Sequence, residues 1–193
     1  MDRLEYFSKY FEDCKNVLDI GCGAGPFLEI MKKKGIPASG VDIEKTVVET
    51  CKGKGLEAVC ADALLFLKEK NNVYDGVMIS YLVEHLQPAQ VKELLKGCFG
   101  ALKPGGLILV AVPDPKNIKD LMDGFWEDTT HVRMYPVNVL HRLFTEAGFK
   151  VEKIVEKKHD YPKLLWKIRD AIRNALVGPY WGREEIYVVA RKR

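Results

Sequence analysis

A run of glycines after an apolar segment is the first feature of the sequence that could bind a ligand. Residues 17–25 read VLDIGCGAG, so Asp19 precedes three glycines at alternating positions, Gly21, Gly23 and Gly25. Glycine adopts backbone conformations that other residues avoid, and its missing side chain lets a ligand approach the main chain closely. Where such a run joins a strand to a helix, backbone N–H groups and the helix N-terminus can face the ligand. The run therefore predicts a ligand-binding loop.

Two histidines could exchange protons with a substrate. His85 lies in the sequence EHL, and His131 lies in DTTHVRMYP. An imidazole titrates near neutral pH, so either side chain could act as a general base. A lone histidine can equally be a structural hydrogen-bonding group, and this alternative stays open for both. We expect His141 and His159 to be structural or exposed.

The spacing of the glycines discriminates between classes of ligand. A dinucleotide-binding loop requires G-x-G-x-x-G, and a phosphate-binding P-loop requires a following G-K-[ST]. This chain has G-x-G-x-G and no such lysine. An NAD(P)-dependent oxidoreductase is therefore disfavoured, although it stays an alternative.

The elements that must hold these residues follow from the hydrophobic pattern. Apolar runs of strand length alternate with stretches of helical periodicity, and Pro26, Pro88 and Pro136 open three of the helices. The predicted strands lie at 17–20, 38–42, 56–60, 74–80, 107–112, 149–155 and 185–190. The sequence KPGG at 103–106 predicts a turn. This alternation indicates an α/β fold with a mostly parallel sheet, whose carboxyl edge is the usual place for ligands.

Three segments depart from the alternation. Residues 1–16 predict an amphipathic helix that could close over the ligand as a lid. Residues 113–135 form a long loop without clear periodicity after the fifth strand, and we predict that this loop faces the substrate. Residues 160–182 predict a helical insertion before the last strand. Its helix, 163–177, could be a core or lid helix, a dimer face, or a membrane-surface helix that allows peripheral contact with lipid.

Length and composition further limit the class of protein and its possible partners. The chain has 193 residues and predicts one domain over 1–193. Its 30 basic and 27 acidic residues nearly balance, so a nucleic-acid partner is not expected. Its five cysteines form no C-x-x-C pair, which argues against zinc and for reduced thiols in a cytoplasmic protein. No signal peptide or membrane-spanning segment is predicted.

The glycine run resembles the first motif of the class I S-adenosylmethionine (SAM)-dependent methyltransferases, D-x-G-x-G-x-G. Further stretches resemble later motifs of this family, in the same order and each at a predicted strand: SGVDIE, CADA, YDGVMISYLVEHL and LKPGGLILVAVP. The resemblance covers most of the chain. It implies a Rossmann-like methyltransferase fold with a seven-stranded, mostly parallel sheet, an antiparallel last strand and helices on both faces.

The resemblance also implies roles for individual residues. Asp42 would accept hydrogen bonds from the two ribose hydroxyls, with Ile43 packed on the adenine. Asp62 would face the adenine amino group, and Ala63 would donate its backbone N–H. Asp19 would orient the loop or reach the methionine amino group through water. The remaining residues implied to bind the cofactor are Gly21, Cys22, Gly23, Gly25, Ser80 and Tyr81. Asp42 and Asp62 could instead be helix caps or turn residues.

The implied reaction is transfer of the methyl group of SAM, with S-adenosylhomocysteine as the product. Because the sulfonium already activates this methyl group, the protein mainly has to position a nucleophile and remove its proton if it is a hydroxyl. His85 and His131 are the candidate catalytic residues. Glu84 next to His85 resembles quinone-precursor O-methyltransferases, some of which use a divalent metal near such residues. Adjacent residues on one helix do not face each other, so we predict no metal site.

The acceptor is predicted from two stretches. The fourth strand is not followed by the [DN]-P-P-[FYW] motif of methyltransferases that act on nucleobase or glutamine nitrogens. Residues 128–133 and the Glu84-His85 pair resemble methyltransferases of small molecules, sugars, lipid-linked glycans and quinone precursors. We therefore predict a small-molecule oxygen acceptor and a monomer or homodimer. A non-catalytic SAM-binding subunit or scaffold is the main alternative.

Overall fold

The computed structural model describes residues 2–117, 124–158, 171, 172, 175 and 183–193. Seven strands form one sheet: β1 (Val17–Ile20), β2 (Ala38–Asp42), β3 (Glu57–Cys60), β4 (Tyr74–Ser80), β5 (Leu102–Pro113), β6 (Phe149–Lys158) and β7 (Arg183–Lys192). Their order across the sheet is β3-β2-β1-β4-β5-β7-β6. The first five strands are parallel, and β7 is antiparallel to both β5 and β6. The predicted fold class is confirmed, with β6 and β7 longer than the sequence indicated.

The α-helices whose bounds the structure describes pack around this sheet: α1 (Arg3–Ser8), α2 (Pro26–Lys33), α3 (Lys45–Gly53), α4 (Ala63–Lys68), α5 (Pro88–Ala101) and α6 (Val137–Glu146). The core lies between the helices and the strands, because alternate strand residues point to opposite faces and both faces are covered. Among the described residues, no helix is both long and apolar enough to cross a membrane.

The order of the strands fixes where a ligand can bind. Chain order reverses between β1 and β4, which lie side by side in the centre of the sheet. At such a switch point the loops after the two strands turn to opposite faces and leave a crevice at the carboxyl edge. The glycine loop follows β1, and a 3-10 turn, Val83–His85, comes after β4.

The prediction of a turn at KPGG is wrong. Residues 103–106 lie inside β5, where the register shifts: Leu102 pairs with Tyr74, and the next pair joins Leu107 to Gly76. Gly105 has a φ of 78° and lets the four residues bulge out of the ladder. The KPGG sequence therefore marks a bulge within β5, and the strand continues through it.

The N-terminal segment is part of the packed core. The side chains of Phe7 and Phe11 are fully buried in a cluster that also contains Tyr187 of β7. The role of residues 1–16 as a lid stays a prediction. The predicted helix 163–177 lies outside the described residues except for 171, 172 and 175, which are helical.

Candidate active site

The glycine loop adopts backbone conformations that require glycine. Gly21, Gly23 and Gly25 have φ values of 72°, 53° and 81°. At Gly25, the first position before α2, a Cβ atom would lie 2.6 Å from Leu56 Cδ1 and 2.9 Å from Cys51 Sγ. A side chain at this position would therefore force the loop away from α3.

The backbone N–H groups of the loop are already used within the protein. Gly21 and Cys22 both donate to the carbonyl of Val41, at 2.8 and 3.3 Å, and Gly25 donates to the carbonyl of Cys22 at 3.0 Å. These bonds hold the shape of the loop. A phosphate-binding loop needs free N–H groups, and these three are engaged. The expectation that N–H groups of the loop and the N-terminus of α2 face a ligand stays a prediction.

Asp42 connects the end of β2 to the glycine loop. Its Oδ2 accepts the N–H of Gly23 at 2.8 Å, and its Oδ1 accepts the N–H of Glu44 at 2.9 Å. These bonds fix the carboxylate and leave one lone pair of each oxygen for a diol. The N-cap residue of α3 is Glu44, so Asp42 is a turn residue and does not cap that helix.

A cavity of about 120 Å³ opens beside this carboxylate. The predicted site residues that line it are Gly21, Asp42, Ile43, Asp62 and Ala63. The side chain of Ile43 is 73% exposed, which leaves it available to pack on a flat ring. Asp62 also caps α4, because its Oδ1 accepts the N–H of Leu65 at 2.9 Å. Capping and lining the cavity are compatible roles for Asp62.

An apolar wall completes the cavity, and its residues were not predicted from the sequence as site residues. Leu82 comes from the end of β4, and Leu86, Gln90 and Leu94 follow at intervals of four residues into α5. Gln90 and Leu94 lie in α5, where this spacing places them on one side of the helix, and Leu86 lies just before α5 begins. The same periodicity could have identified them, but it also describes ordinary core residues of α5.

Asp19 and Cys22 lie behind the cavity. Asp19 is buried in β1, and burial together with the nearby Asp42 carboxylate raises its pKa to about 7. Cys22 turns its side chain into a small apolar cluster with Leu28 and Cys51, and burial raises the pKa of its thiol. Neither side chain lines the cavity, so any contact of Cys22 with a ligand there must come from its backbone.

Ser80 and Tyr81 end β4 and contact the N-terminal helix. Arg3 donates from Nη1 to Ser80 Oγ at 2.9 Å and to Glu185 Oε2 at 3.2 Å. Its guanidinium lies 4.5 Å from the centre of the Tyr81 ring. Tyr81 has a φ of 56°, an uncommon conformation for a residue with a side chain. Such strain occurs at functional sites, and the Tyr81 ring is partly exposed.

The two candidate bases come together beside this position. The imidazole centres of His85 and His131 are 4.5 Å apart. Phe125, in the 3-10 turn Phe125–Glu127, stacks on His131 at 4.3 Å. The loop that carries His131 is held to the Val83–His85 turn because Val132 donates its N–H to the Glu84 carbonyl at 2.8 Å.

Each imidazole has one nitrogen in a hydrogen bond. His85 Nδ1 lies 2.8 Å from Thr130 Oγ1, and His131 Nδ1 lies 2.6 Å from the carbonyl oxygen of Phe125. Burial and the neighbouring His131 lower the pKa of His85, which favours its neutral form. A neutral imidazole with a free Nε2 lone pair can accept a proton.

Glu84 also lies at this position, although it was not among the site residues predicted from the sequence. Its side chain is fully buried, and neither carboxylate oxygen has a hydrogen-bond partner within the described parts of the chain. Burial raises its pKa to about 7. One ligand atom from each of Glu84, His85 and His131 lies within 4.8 Å of the other two. The argument that the adjacent Glu84 and His85 could not face one point is therefore wrong.

The comparison with known proteins decides the family. A model of the methyltransferase domain family matches residues 1–154. A SAM-dependent methyltransferase from Archaeoglobus fulgidus is 33% identical, covers 98% of this chain and 91% of its own, and superposes with a TM-score of 0.84. The chain belongs to the SAM-dependent methyltransferases. As a methyltransferase it is an enzyme that uses SAM, and the resemblance stated from the sequence is confirmed.

Other relatives are more distant or shorter in overlap. The ubiquinone biosynthesis O-methyltransferase of Coxiella burnetii is 30% identical over 98 residues, 48% of this methyltransferase and 41% of that protein. The carboxy-S-adenosyl-L-methionine synthase of Desulfotalea psychrophila is 20% identical over 182 residues, 90% of this chain and 65% of that protein. A structure from Methanosarcina mazei, 17% identical with a TM-score of 0.72, shares the fold. The match thus spans less than half the length of the Coxiella relative.

The residues of the cavity fit SAM on two observations. The Asp42 carboxylate has its backbone donors in place and keeps lone pairs for ribose hydroxyls. The apolar wall of Leu82, Leu86 and Leu94 faces a space that no polar side chain fills except Gln90 and the two aspartates. The engaged N–H groups of the glycine loop, by contrast, do not suit a pyrophosphate.

Proposed function

We propose that this methyltransferase transfers the methyl group of SAM to a hydroxyl oxygen of a small molecule. The observation that carries the proposal is the His85–His131 pair, whose ring centres are 4.5 Å apart and of which His85 lies between Leu82 and Leu86 of the cofactor cavity. A hydroxyl must lose its proton on methylation, and a neutral imidazole is suited to accept it. The oxygen acceptor named for the Coxiella relative supports the same choice.

The reaction then needs little covalent chemistry from the protein. The hydroxyl oxygen attacks the methyl carbon, and the carbon–sulfur bond breaks with its electron pair moving to sulfur. S-adenosylhomocysteine leaves as a neutral thioether, and the hydroxyl proton passes to an imidazole Nε2. The residues therefore act by holding the acceptor in line with the methyl group and by excluding water.

The acceptor-side loop, 113–135, carries one of the two candidate bases. Its described parts are 113–117 and 124–135, and the second contributes His131, which packs against Phe125. Trp126 is 59% exposed, and Tyr81 on the other segment is 39% exposed. Exposed aromatic rings offer stacking surfaces for a planar acceptor. We therefore place a phenol of the quinone-precursor type first, ahead of a sugar or a lipid-linked glycan.

A panel of acceptors tests the proposal. The purified chain is incubated with SAM and catechol-type phenols, simple sugars, lipid-linked sugars, and aniline analogues of the phenols. We expect S-adenosylhomocysteine and a methyl ether from the phenols only. A methylated amine as the main product would contradict the oxygen acceptor. Binding of SAM with no S-adenosylhomocysteine from any acceptor would favour the scaffold alternative.

A further inference from the structure

We propose that Cys22 and Cys51 are a redox-active pair whose oxidation to a disulfide lowers the affinity of the enzyme for SAM. Cys22 lies in the glycine loop, and Cys51 lies in α3. Both thiols donate to one acceptor, the carbonyl oxygen of Gly23, from Cys51 Sγ at 3.2 Å and from Cys22 Sγ at 3.7 Å. The two thiols also interact directly with each other. Cysteines from two different elements therefore meet at one atom of the loop.

Two glycines make room for this pair of sulfur atoms. A Cβ atom on Gly40 of β2 would lie 2.5 Å from Cys22 Sγ, and a Cβ atom on Gly25 would lie 2.9 Å from Cys51 Sγ. The pair is the centre of a small buried apolar cluster between β2, α2 and α3. Since the thiols already interact, side-chain rotations are enough to bring the sulfur atoms to the bond length of a disulfide, about 2.05 Å.

The other three cysteines lie in separate surroundings. Cys98 is buried in α5, and Cys14 follows α1 and packs beside Gly76. Cys60 is exposed, and its Sγ donates to the carbonyl of Ile43 at 3.5 Å. The contact between Cys22 and Cys51 thus selects these two for an intramolecular disulfide.

A small-molecule disulfide such as oxidised glutathione is the oxidant of the proposed step. Cys22 is 4% exposed and follows Gly21, which lines the cofactor cavity, whereas Cys51 is fully buried, so we expect Cys22 to react first. Its thiol loses a proton to water and attacks one sulfur of glutathione disulfide, which releases one glutathione thiol. The Cys51 thiol then loses its proton and displaces the second glutathione. Two protein thiols are oxidised, and one small disulfide is reduced to two thiols.

Burial makes this exchange slow as long as the loop stays closed. It raises the pKa of both thiols, and only the thiolate attacks a disulfide. The reduced pair is therefore the resting state, and the disulfide accumulates only when the surrounding glutathione pool becomes oxidising.

The Gly23 peptide connects the pair to the cofactor site. Its carbonyl accepts both thiols, and its N–H donates to Asp42 Oδ2 at 2.8 Å. A disulfide has no S–H group, so the carbonyl loses both donors, and the new bond pulls the loop toward α3. The peptide that holds the Asp42 carboxylate then shifts. We expect SAM affinity to fall by about 10-fold, the effect of losing about one hydrogen bond.

The coupling must also act in the opposite direction. If the disulfide weakens SAM binding, bound SAM disfavours the disulfide by the same factor, because binding equilibria are reciprocal. Saturating SAM should therefore raise the ratio of oxidised to reduced glutathione needed for half-oxidation of the pair by about 10-fold.

Equilibration of the full chain in glutathione redox buffers tests the proposal. Free thiols are quenched in acid and alkylated, and peptide mass spectrometry then measures the disulfide between Cys22 and Cys51 with and without SAM. Calorimetry measures SAM affinity before oxidation, after oxidation and after reduction with dithiothreitol. We expect this one intramolecular disulfide, the loss of affinity, and full recovery on reduction.

Cysteine variants show whether the pair causes the loss. The quantity compared is the ratio of SAM affinities before and after oxidation of the same variant, so an effect of the substitution itself cancels. Cys22→Ala and Cys51→Ala should give ratios near one, and Cys51→Ala should accumulate glutathione on Cys22. Cys60→Ser, which removes the exposed thiol, is the matched control and should respond as the parent chain does. Thermal unfolding of each reduced variant shows that it is folded.

Three results would contradict the proposal. Absence of the disulfide in the most oxidising buffer would overturn the pair. A disulfide that leaves SAM affinity and the redox midpoint unchanged would overturn its effect on the cofactor. A loss of affinity in Cys51→Ala equal to that of the parent chain would assign the effect to another thiol. None of these readouts involves an acceptor, so the proposed oxygen methylation stands or falls separately.

Discussion

The carboxylates at the two ends of the crevice differ in their hydrogen bonds. At the cofactor end, formed by Gly21, Asp42 and Asp62, each carboxylate accepts backbone N–H groups from its own neighbourhood. At the acceptor end, formed by Glu84, His85 and His131, the fully buried Glu84 carboxylate has no hydrogen-bond partner among the residues that the structure describes. The polar groups of the first end are held by the protein's own hydrogen bonds, whereas the carboxylate of the second end is not.

This difference predicts which kinetic quantity each end controls. A preorganised polar site gives binding energy for the ground state of its ligand. A site that meets a charge or a proton during the reaction acts on the transition state. Substitutions at the cofactor end should therefore change the affinity for SAM, and substitutions at the acceptor end should change kcat.

The largest effect is expected for Asp42→Ala. The variant removes a charged acceptor for two ribose hydroxyls, each bond contributing about 1.5–3 kcal/mol, and it releases the N–H of Gly23. SAM affinity, measured by calorimetry, should fall by roughly 100-fold to 10,000-fold. Glu44→Gln is the matched control, because that exposed carboxylate accepts from the Thr46 hydroxyl and does not line the cavity. Unchanged affinity in Asp42→Ala would remove this residue from the cofactor site.

The next effect is expected for His131→Asn. Because its imidazole is a candidate acceptor of the hydroxyl proton, its loss should lower kcat by about 100-fold or more once an acceptor is known. SAM affinity should stay within about twofold, since His131 does not line the cavity. His141→Asn should match the parent chain in both quantities. A fall in SAM affinity with kcat preserved would reverse the assignment of the two ends.

A pH-dependent effect is expected for Asp19→Asn. Burial and Asp42 raise the pKa of Asp19 to about 7, so the native state holds a proton that the unfolded state releases near pH 4. The stability of the parent chain should therefore fall, relative to the variant, as the pH rises toward 7, and the gap should then stay constant.

Urea unfolding without SAM measures this gap. Between pH 5 and pH 8 it should grow in favour of Asp19→Asn by roughly 2–3 kcal/mol, at about 1.4 kcal/mol for each pKa unit. Asp13→Asn, at an exposed position, should show no such change with pH. Parallel stability curves for the parent chain and Asp19→Asn would show that Asp19 is ionised in the native state despite its burial.

The elements that the sequence predicts correctly are those with local signals. β4 was predicted over 74–80 and is Tyr74–Ser80, because an apolar run between polar turns needs no distant partner to be recognised. The alternation of strand and helix likewise indicated the sheet. The KPGG error arose because β5 continues through a bulge that only its pairing with β4 reveals.

The site divides in the same way. The cofactor end could be predicted because its residues sit in short motifs at strand ends. The acceptor end depends on a loop that folds back onto the turn after β4, with His131 stacked on Phe125 and its neighbour Val132 bonded to Glu84. No spacing of residues in the sequence predicts that this loop contacts the turn after β4. The side-chain direction of Cys22 was also unpredictable, because the core cluster with Cys51 and Leu28 decides it.

The smallest effect is expected for Tyr135→Phe, which tests how tightly the two ends are joined. The buried Tyr135 hydroxyl donates to the carbonyl of Leu86 at 3.1 Å, and Leu86 lines the cofactor cavity while Tyr135 follows the loop of His131. The variant keeps the ring and its contact with the Arg133 guanidinium, and it loses one hydrogen bond.

Stability of Tyr135→Phe in urea should fall by about 1 kcal/mol, with SAM affinity and kcat within about twofold of the parent chain. Such a result means that the loop is held by many contacts and that the ends act independently. A larger fall in kcat with SAM affinity preserved would mean that this one bond sets the position of His131. A joint fall in both would mean that Leu86 transmits the position of the loop to the cofactor, and the division into two ends would then fail.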